Sequence, residues 1–158
     1  MKSEIIFRHL HSEYDRWGGE EFTETVILAD FNEAAAWPWS IVKRSYTMGD
    51  AFDPTDDKET EISCERARIS KAVFDSVKNI IASYPELATC REITDDSMSH
   101  YYSDSYLFTC DEFSRKLSNA TNDGDEESLP RSERSAAYFA KEIITKINLV
   151  ISQSGITI

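Results

Sequence analysis

Hydrophobic and β-branched residues dominate three stretches in the first third of the chain. Residues 4–11, 21–31 and 40–48 are rich in Ile, Val, Phe, Tyr and Thr with polar residues between them, which is typical of half-buried strands. Residues 15–20 contain two adjacent glycines, and glycine reaches positive φ at little cost, so a turn is indicated there. We therefore predict a hairpin followed by a third strand, with antiparallel pairing because the connections are short.

The stretch over residues 61–69 fits two structures. It alternates like an exposed strand, but the same residues can also begin the helix that follows. We prefer the strand, with Ser70 as the N-cap of the helix. The helix is the clearest element of the sequence, because apolar side chains recur every three or four residues until Pro85 ends the pattern. This apolar stripe consists of Ile69, Val73, Val77, Ile80 and Tyr84.

The second half of the chain predicts two further strands and one long helix. Residues 101–110 are typical of a strand, and residues 114–120 are suited to pair with it. Residues 121–130 predict a solvated acidic loop. The last helix is expected over residues 132–152, with an apolar face wide enough for burial against a sheet. That face is formed by Ala136, Phe139, Ala140, Ile143, Ile144, Ile147, Val150 and Ile151.

These elements predict an α+β fold in a single domain covering residues 1–158. The expected architecture is an antiparallel sheet of about five to six strands with two amphipathic helices packed on one face. The chain contains no internal repeat and no long low-complexity linker, and its length is ordinary for one domain.

Charge changes the picture more than any other property of the composition. The chain has 29 acidic and 17 basic residues, which gives a net charge of −12. Such a domain repels nucleic acid and anionic lipid, so direct binding to either is disfavoured. A basic protein partner is favoured instead, chiefly through faster encounter. The acids gather in residues 50–65, 92–112 and 123–127.

Targeting and redox signals point to the cytoplasm as the expected compartment. No apolar run approaches the length of a membrane-spanning helix, and the N-terminal residues lack the apolar region of a secretion signal. Cys64, Cys90 and Cys110 are odd in number and widely spaced. This spacing argues against a disulfide framework or a metal site, so three small buried thiols are expected.

No sequence motif names a reaction, and no cofactor or metal is predicted. Phosphate-binding loops, nucleophile elbows, zinc-protease and kinase signatures are all absent from the sequence. His9 and His11 are two apart, so on a strand they share a face and can ligate a metal with Asp15 or a distant carboxylate. The alternative is a pair of surface histidines. His100 lies among carboxylates, where it is either a general acid–base group or a solvated side chain.

Two tryptophans flank Pro38. Trp37 and Trp39 are either core anchors or part of an exposed recognition loop, because tryptophan buries a large area at a low cost in entropy.

The charge pattern, together with the missing motifs, favours a non-enzymatic acidic binding protein that neutralises a basic protein partner. A toxin-immunity protein or antitoxin, for example against a nuclease toxin, is the preferred hypothesis. The alternatives are a phage-encoded inhibitor of a nucleic-acid-binding defence complex, a subunit of a larger assembly, and an enzyme with a histidine–carboxylate site. The sequence predicts neither the partner's identity nor the oligomeric state. The predicted partner-binding residues are Asp50, Asp53, Asp56, Asp57, Glu59, Glu61, Asp95, Asp96, Asp104, Trp37 and Trp39.

Overall fold

The computed structural model describes most of the chain as one sheet-rich α+β unit. The described residues are 3–14, 20–32, 37–48, 59–94, 102–121 and 124–156. They contain a six-stranded antiparallel sheet, a second sheet of two short strands and two α-helices, which confirms the predicted fold class.

The large sheet has the strand order β4-β3-β2-β1-β6-β7, so the first four strands form a meander and β6 joins on the far side of β1. All its neighbouring pairs are antiparallel. The short strands β5 and β8 pair separately. The bounds are Ser3–Tyr14 (β1), Glu20–Asp30 (β2), Trp39–Met48 (β3), Glu59–Arg68 (β4), Ile93–Thr94 (β5), Tyr102–Thr109 (β6), Ser114–Leu117 (β7) and Ala120–Thr121 (β8).

The central strand β1 carries a bulge that adds a residue to the core. The register of β1 against β2 shifts between Ile5 and Phe7. Ile6, the extra residue, is fully buried, and Phe7 beside it is also buried. A bulge lets two consecutive side chains serve one face of a strand, so the middle of the sheet gains apolar volume beneath the helices.

The two helices pack with this face of the sheet to form the core. Helix α1 (Lys71–Ala82) begins at the predicted N-cap Ser70, whose hydroxyl accepts from the Val73 amide at 3.1 Å. Helix α2 (Ala136–Gln153) contacts α1. Buried side chains of both helices join buried strand residues in one cluster. The helical contributors to the cluster include Phe74, Val77, Ile81, Ala136, Phe139, Ala140, Ile143 and Ile147.

The segment before α2 differs from the prediction in two ways. The helix begins at Ala136 instead of residue 132, because residues Arg131–Glu133 form a separate 3₁₀ turn. The expected solvated loop also contains one buried acid, Glu126, within a 3₁₀ turn at Glu126–Ser128. Its carboxylate accepts from the amide and the hydroxyl of Ser135, both at 2.6 Å. These hydrogen bonds draw Glu126 out of solvent.

Two further expectations are settled by the edge strand β4. Residues 61–69 are strand up to Arg68, as preferred, and the helix begins only after Ser70. The expectation of three buried thiols was wrong for Cys64, which is exposed because it lies on this edge strand. Cys110 is buried and Cys90 is partly buried. Among the described helices, neither has the length and apolar character needed to cross a bilayer.

Candidate functional site

The pairing of the strands brings one end of each of five strands, β1, β2, β3, β4 and β6, to the same end of the sheet. Glu20 lies opposite Tyr14 on β1 and opposite Met48 on β3. Met48 also lies opposite Glu59, where β4 begins. Strand β6 begins beside this same end of β1. We call this end of the sheet the acidic end and define it by its described acids, Glu13, Glu20, Glu21, Glu59, Glu61 and Asp104.

The chain segments attached to the acidic end carry more acids. Residues 15–19 join β1 to β2, residues 49–58 join β3 to β4, and residues 95–101 lead into β6; all three lie outside the described residues. With the acidic end they hold thirteen acids against three bases, so most of the net charge of −12 is attached here. The predicted partner-binding acids among them are Asp50, Asp53, Asp56, Asp57, Asp95 and Asp96, and the three bases are Arg16, Arg44 and Lys58.

Two predicted partner-binding residues on β4, Glu59 and Glu61, both bind the Arg44 side chain. The Arg44 guanidinium on β3 donates to the carboxylates of Glu59 and Glu61, the latter at 3.3 Å. The bond to Glu59 is the main reason that the pKa of Arg44 is raised. Arg44 also stands 4.8 Å above the ring of Tyr46. The two glutamates are therefore held in place and partly neutralised, while remaining about half exposed.

The third described acid of the predicted set, Asp104 on β6, binds two histidines. His9 Nε2 and His11 Nδ1 each lie 2.8 Å from the same oxygen, Oδ1 of Asp104. An ionised carboxylate only accepts hydrogen bonds, so both ring nitrogens must carry a proton. The predicted same-face placement of His9 and His11 on β1 is thus confirmed, and their shared contact is Asp104.

His11 lies between two carboxylates that favour its protonated form. Its second nitrogen, Nε2, lies 3.1 Å from Oε1 of Glu13, so satisfying both acids requires the imidazolium form. Burial lowers the pKa of His11, but the hydrogen bonds and charges of Glu13 and Asp104 outweigh burial and raise it overall. The pKa of Asp104 is lowered, because the bonds from His9 and His11 outweigh the opposing effect of burial.

Aromatic rings enclose this cluster. Tyr106 stacks on His9 with 4.8 Å between ring centroids, and Tyr102 lies 6.3 Å from His11. Burial, helped by the negative charge of Asp104, raises the pKa of Tyr106 to about 12. The Tyr106 hydroxyl therefore stays protonated across the physiological range, and its ring holds the His9 imidazole in place.

The described residues do not support the metal site considered for the histidine pair. One ring nitrogen of His9 and one of His11 are each hydrogen-bonded to Asp104, so neither nitrogen is available to ligate a metal. Within the described part of the chain, no group of three or more His, Cys, Asp or Glu side chains is arranged to hold a metal ion. The other residues considered for chemistry, Asp15 and His100, lie outside the described residues.

The predicted tryptophans lie at the opposite end of the sheet. Trp39 begins β3 opposite Ala29 and packs partly buried against the core. Trp37 is 43% exposed, but its indole Nε1 donates to the Ile69 carbonyl at 2.7 Å. The two rings meet edge to face at 5.9 Å. Among the described residues of the predicted partner-binding set, Trp37 and Trp39 therefore lie at the end of the sheet opposite to Glu59, Glu61 and Asp104.

Sequence reasoning missed the acids of the first hairpin. Glu20 is the last residue of the turn predicted at residues 15–20, and Glu13 and Glu21 lie on either side of that turn. They belong to the acidic end because β6 begins beside β1 and β4 begins beside β3, the neighbour of β2. The available signal was the density of acids around a hairpin turn. The missing information was the strand order, since β6 joins β1 across a long connection.

The chain matches no protein-family model and has no significant sequence similarity to a curated protein.

Proposed function

We propose that this protein is a non-enzymatic acidic binding protein that neutralises a basic protein partner, docking it at the acidic end. The observation that carries the proposal is the convergence of five strand ends, whose described acids and attached segments hold most of the negative charge. Charge of one sign concentrated on one side of a molecule steers a partner of opposite charge and speeds its association.

Internal cations support this proposal by fixing the geometry of the acids. Arg44 orients Glu59 and Glu61, and His11 orients Glu13 and Asp104. A surface whose side chains are already ordered loses less conformational entropy when a partner binds. The acidic end therefore combines a strong local field with carboxylates that are partly preorganised.

A toxin-immunity role fits this chemistry best. A nuclease toxin needs a basic active site to attract phosphate, and an acidic end of this kind is complementary to such a site. An inhibitor of a nucleic-acid-binding defence complex would exploit the same complementarity. The identity of the captured partner separates these two roles.

The proposal is tested by capturing the partner from a lysate of the source organism. Tagged wild-type protein is incubated at low and at high salt, and bound proteins are identified and quantified by mass spectrometry. We expect one basic protein in stoichiometric amount at low salt, with less bound at high salt because salt screens exposed charges.

Two charge-reversal variants locate the docking surface. The test variant carries Asp53→Lys, Asp56→Lys and Asp57→Lys in the segment that joins β3 to β4. The matched control carries Glu112→Lys, Glu127→Lys and Glu133→Lys, three exposed acids outside the acidic end, so both variants change net charge equally. We expect the test variant to associate about tenfold more slowly with a weaker salt dependence, while the control stays close to wild type. Equal association of the two variants, or no partner captured by the wild type, would contradict the proposal.

A further inference from the structure

One internal cation of the acidic end can lose its charge, and the other cannot. Arg44 pairs with two glutamates of β4 through a guanidinium, which stays charged throughout the physiological range. His11 pairs with Glu13 and Asp104 through an imidazole, whose charge changes within that range. The two halves of the acidic end therefore respond differently to pH.

Carboxylates predominate around His11 in the described part of the chain. Asp104 of β6 and Thr23 of β2 lie directly opposite it. The next pair on this face of β1 and β2 is Glu13 with Glu21. The described charged or titratable groups that face His11 from β1, β2 and β6 are His9, Glu13, Glu21, Tyr102 and Asp104. Three of these groups are carboxylates, so the surroundings favour the protonated ring.

The two hydrogen bonds of His11 require a proton on each ring nitrogen. Nδ1 lies 2.8 Å from Oδ1 of Asp104, and Nε2 lies 3.1 Å from Oε1 of Glu13. A neutral imidazole has one donor and one acceptor, so it can keep only one of these bonds. Toward the other carboxylate it presents a lone pair, and the contact with an oxygen that also only accepts becomes repulsive.

Exposure to water decides which carboxylate the neutral ring releases. The Asp104 side chain is 27% exposed and is also bonded by His9, whereas the Glu13 side chain is 66% exposed. Water replaces a lost hydrogen bond only where it reaches the acceptor, so the proton stays on Nδ1 beside Asp104. Glu13 is released, and the like charge of Glu21, directly opposite on β2, favours its movement into solvent.

We propose that His11 is a pH-sensitive switch of the acidic end: with its proton it joins Glu13 to Asp104, and without the proton it frees Glu13 for a basic partner. The switch regulates the docking surface of the proposed function and rests on that function. Losing the proton makes the acidic end one unit more negative, and this charge acts on every cation of the partner at once. That gain outweighs the cost of ordering one glutamate side chain, so binding strengthens as the pH rises.

The switch is tested with a short oligoarginine peptide as the basic probe, because guanidinium groups stay charged throughout the titration. NMR of the His11 ring in the full chain, followed against pH, gives the pH at which the ring loses its proton and identifies the tautomer that remains. Calorimetry then measures the affinity for the peptide at about pH 5.5, below the ordinary pKa of histidine, and at an alkaline pH beyond that transition.

Four variants separate the parts of the switch, and circular dichroism confirms that each is folded. His11→Arg makes the cation permanent, and His11→Gln removes it. Glu13→Gln removes the carboxylate that is released. Glu21→Gln is its matched control, because it makes the same change in charge at the residue directly opposite.

We expect the wild type to bind the peptide about threefold more tightly at the alkaline pH, which is the effect of one partly exposed charge. The neutral ring should carry its proton on Nδ1. His11→Arg should bind weakly and His11→Gln tightly at both pH values. Glu13→Gln should lose the pH response, and Glu21→Gln should keep it.

Three results would overturn the switch alone. The first is binding by the wild type that does not change with pH. The second is a pH response that survives in full in His11→Arg and His11→Gln. The third is a neutral ring with its proton on Nε2, because Glu13 would then stay bound. No binding of the peptide at either pH would contradict the proposed function as well.

Discussion

Asp104 links residue-level chemistry to stability, because one of its carboxylate oxygens accepts from His9 and from His11. Folding raises the pKa of His11. The stabilisation that the protonated His11 ring provides is therefore fully present at pH values below its ordinary pKa of about 6.5, and it is lost as the pH rises through the pKa of His11 in the folded protein. Folding lowers the pKa of Asp104. The stabilisation that the ionised carboxylate provides is therefore fully present at pH values above its ordinary pKa of about 3.8, and it is lost as the pH falls through the pKa of Asp104 in the folded protein. Both effects are therefore at full strength together between about pH 4 and about pH 6.5.

This reasoning predicts a pH-dependent cost for Asp104→Asn. At about pH 5.5 we expect the substitution to lower the free energy of unfolding by about 1 kcal/mol, since it removes a partly exposed charge from two hydrogen bonds. At an alkaline pH, once His11 has lost its proton, the cost should fall to roughly half. Urea denaturation at both pH values measures the difference, with Asp125→Asn as an exposed control. An equal cost at both pH values would show that the imidazolium of His11 does not contribute.

At the scale of the element, hydrogen bonds to a buried glutamate hold the N-terminus of helix α2 in place. The buried Glu126 carboxylate accepts from the amide of Ser135, the N-cap residue, and from its hydroxyl. Arg91 donates to the same carboxylate at 3.2 Å, and its carbonyl accepts from the Ala136 amide at 2.8 Å. A negative charge at a helix N-terminus is also favoured by the helix dipole. Glu126 therefore connects the start of α2 to the chain before β5.

This connection predicts a large effect of Glu126→Ala. The substitution leaves the Ser135 amide and hydroxyl buried without their acceptor, and we expect the free energy of unfolding to fall by about 3 kcal/mol. Glu127→Ala, at the exposed neighbouring position, should change it by less than about 0.5 kcal/mol. Urea unfolding followed by circular dichroism measures both. Similar small effects for the two substitutions would contradict the anchoring role of Glu126.

The same segment shows why pattern alone misplaced this helix. Residues 132–135 continue a polar stretch that is compatible with a first helical turn, but Arg134 donates to the carbonyls of Leu129 and Glu127 and holds that stretch outside the helix. Helix α1 was predicted closely, because a serine N-cap and a proline bound a regular apolar stripe. The N-cap and the proline were sufficient to predict α1, whereas the start of α2 is decided by side-chain hydrogen bonds to the preceding loop, which the apolar pattern does not show.

For the whole molecule, the sequence predicted the antiparallel sheet with both helices on one face, because alternation and helical periodicity each require a shared buried surface. The candidate site was predictable only in part. Glu59, Glu61 and Asp104 were identified from acid density, but their placement at one end depends on β6 joining β1. The pairing of Asp104 with His9 and His11 depends on that same register, which no local pattern encodes.

Most of the net charge lies on the acidic end or on chain segments attached to it, and we expect the resulting repulsion to lower stability at low salt. Raising the salt concentration from about 0.01 M to about 1 M shortens the screening length from about 30 Å to about 3 Å. We expect the melting temperature of the wild type to rise by about 2–4 °C as repulsion at the acidic end is screened, which corresponds to ~1 kcal/mol for a chain of this size.

The two charge-reversal variants separate local repulsion from net charge in this experiment. The variant with lysine at positions 53, 56 and 57 should lose most of the salt response, because it relieves the acidic end directly. The variant with lysine at positions 112, 127 and 133 has the same net charge and should keep the response. If both variants lose it equally, the repulsion is spread over the molecule, because net charge alone then sets the response. The steering field would in that case have no single focus.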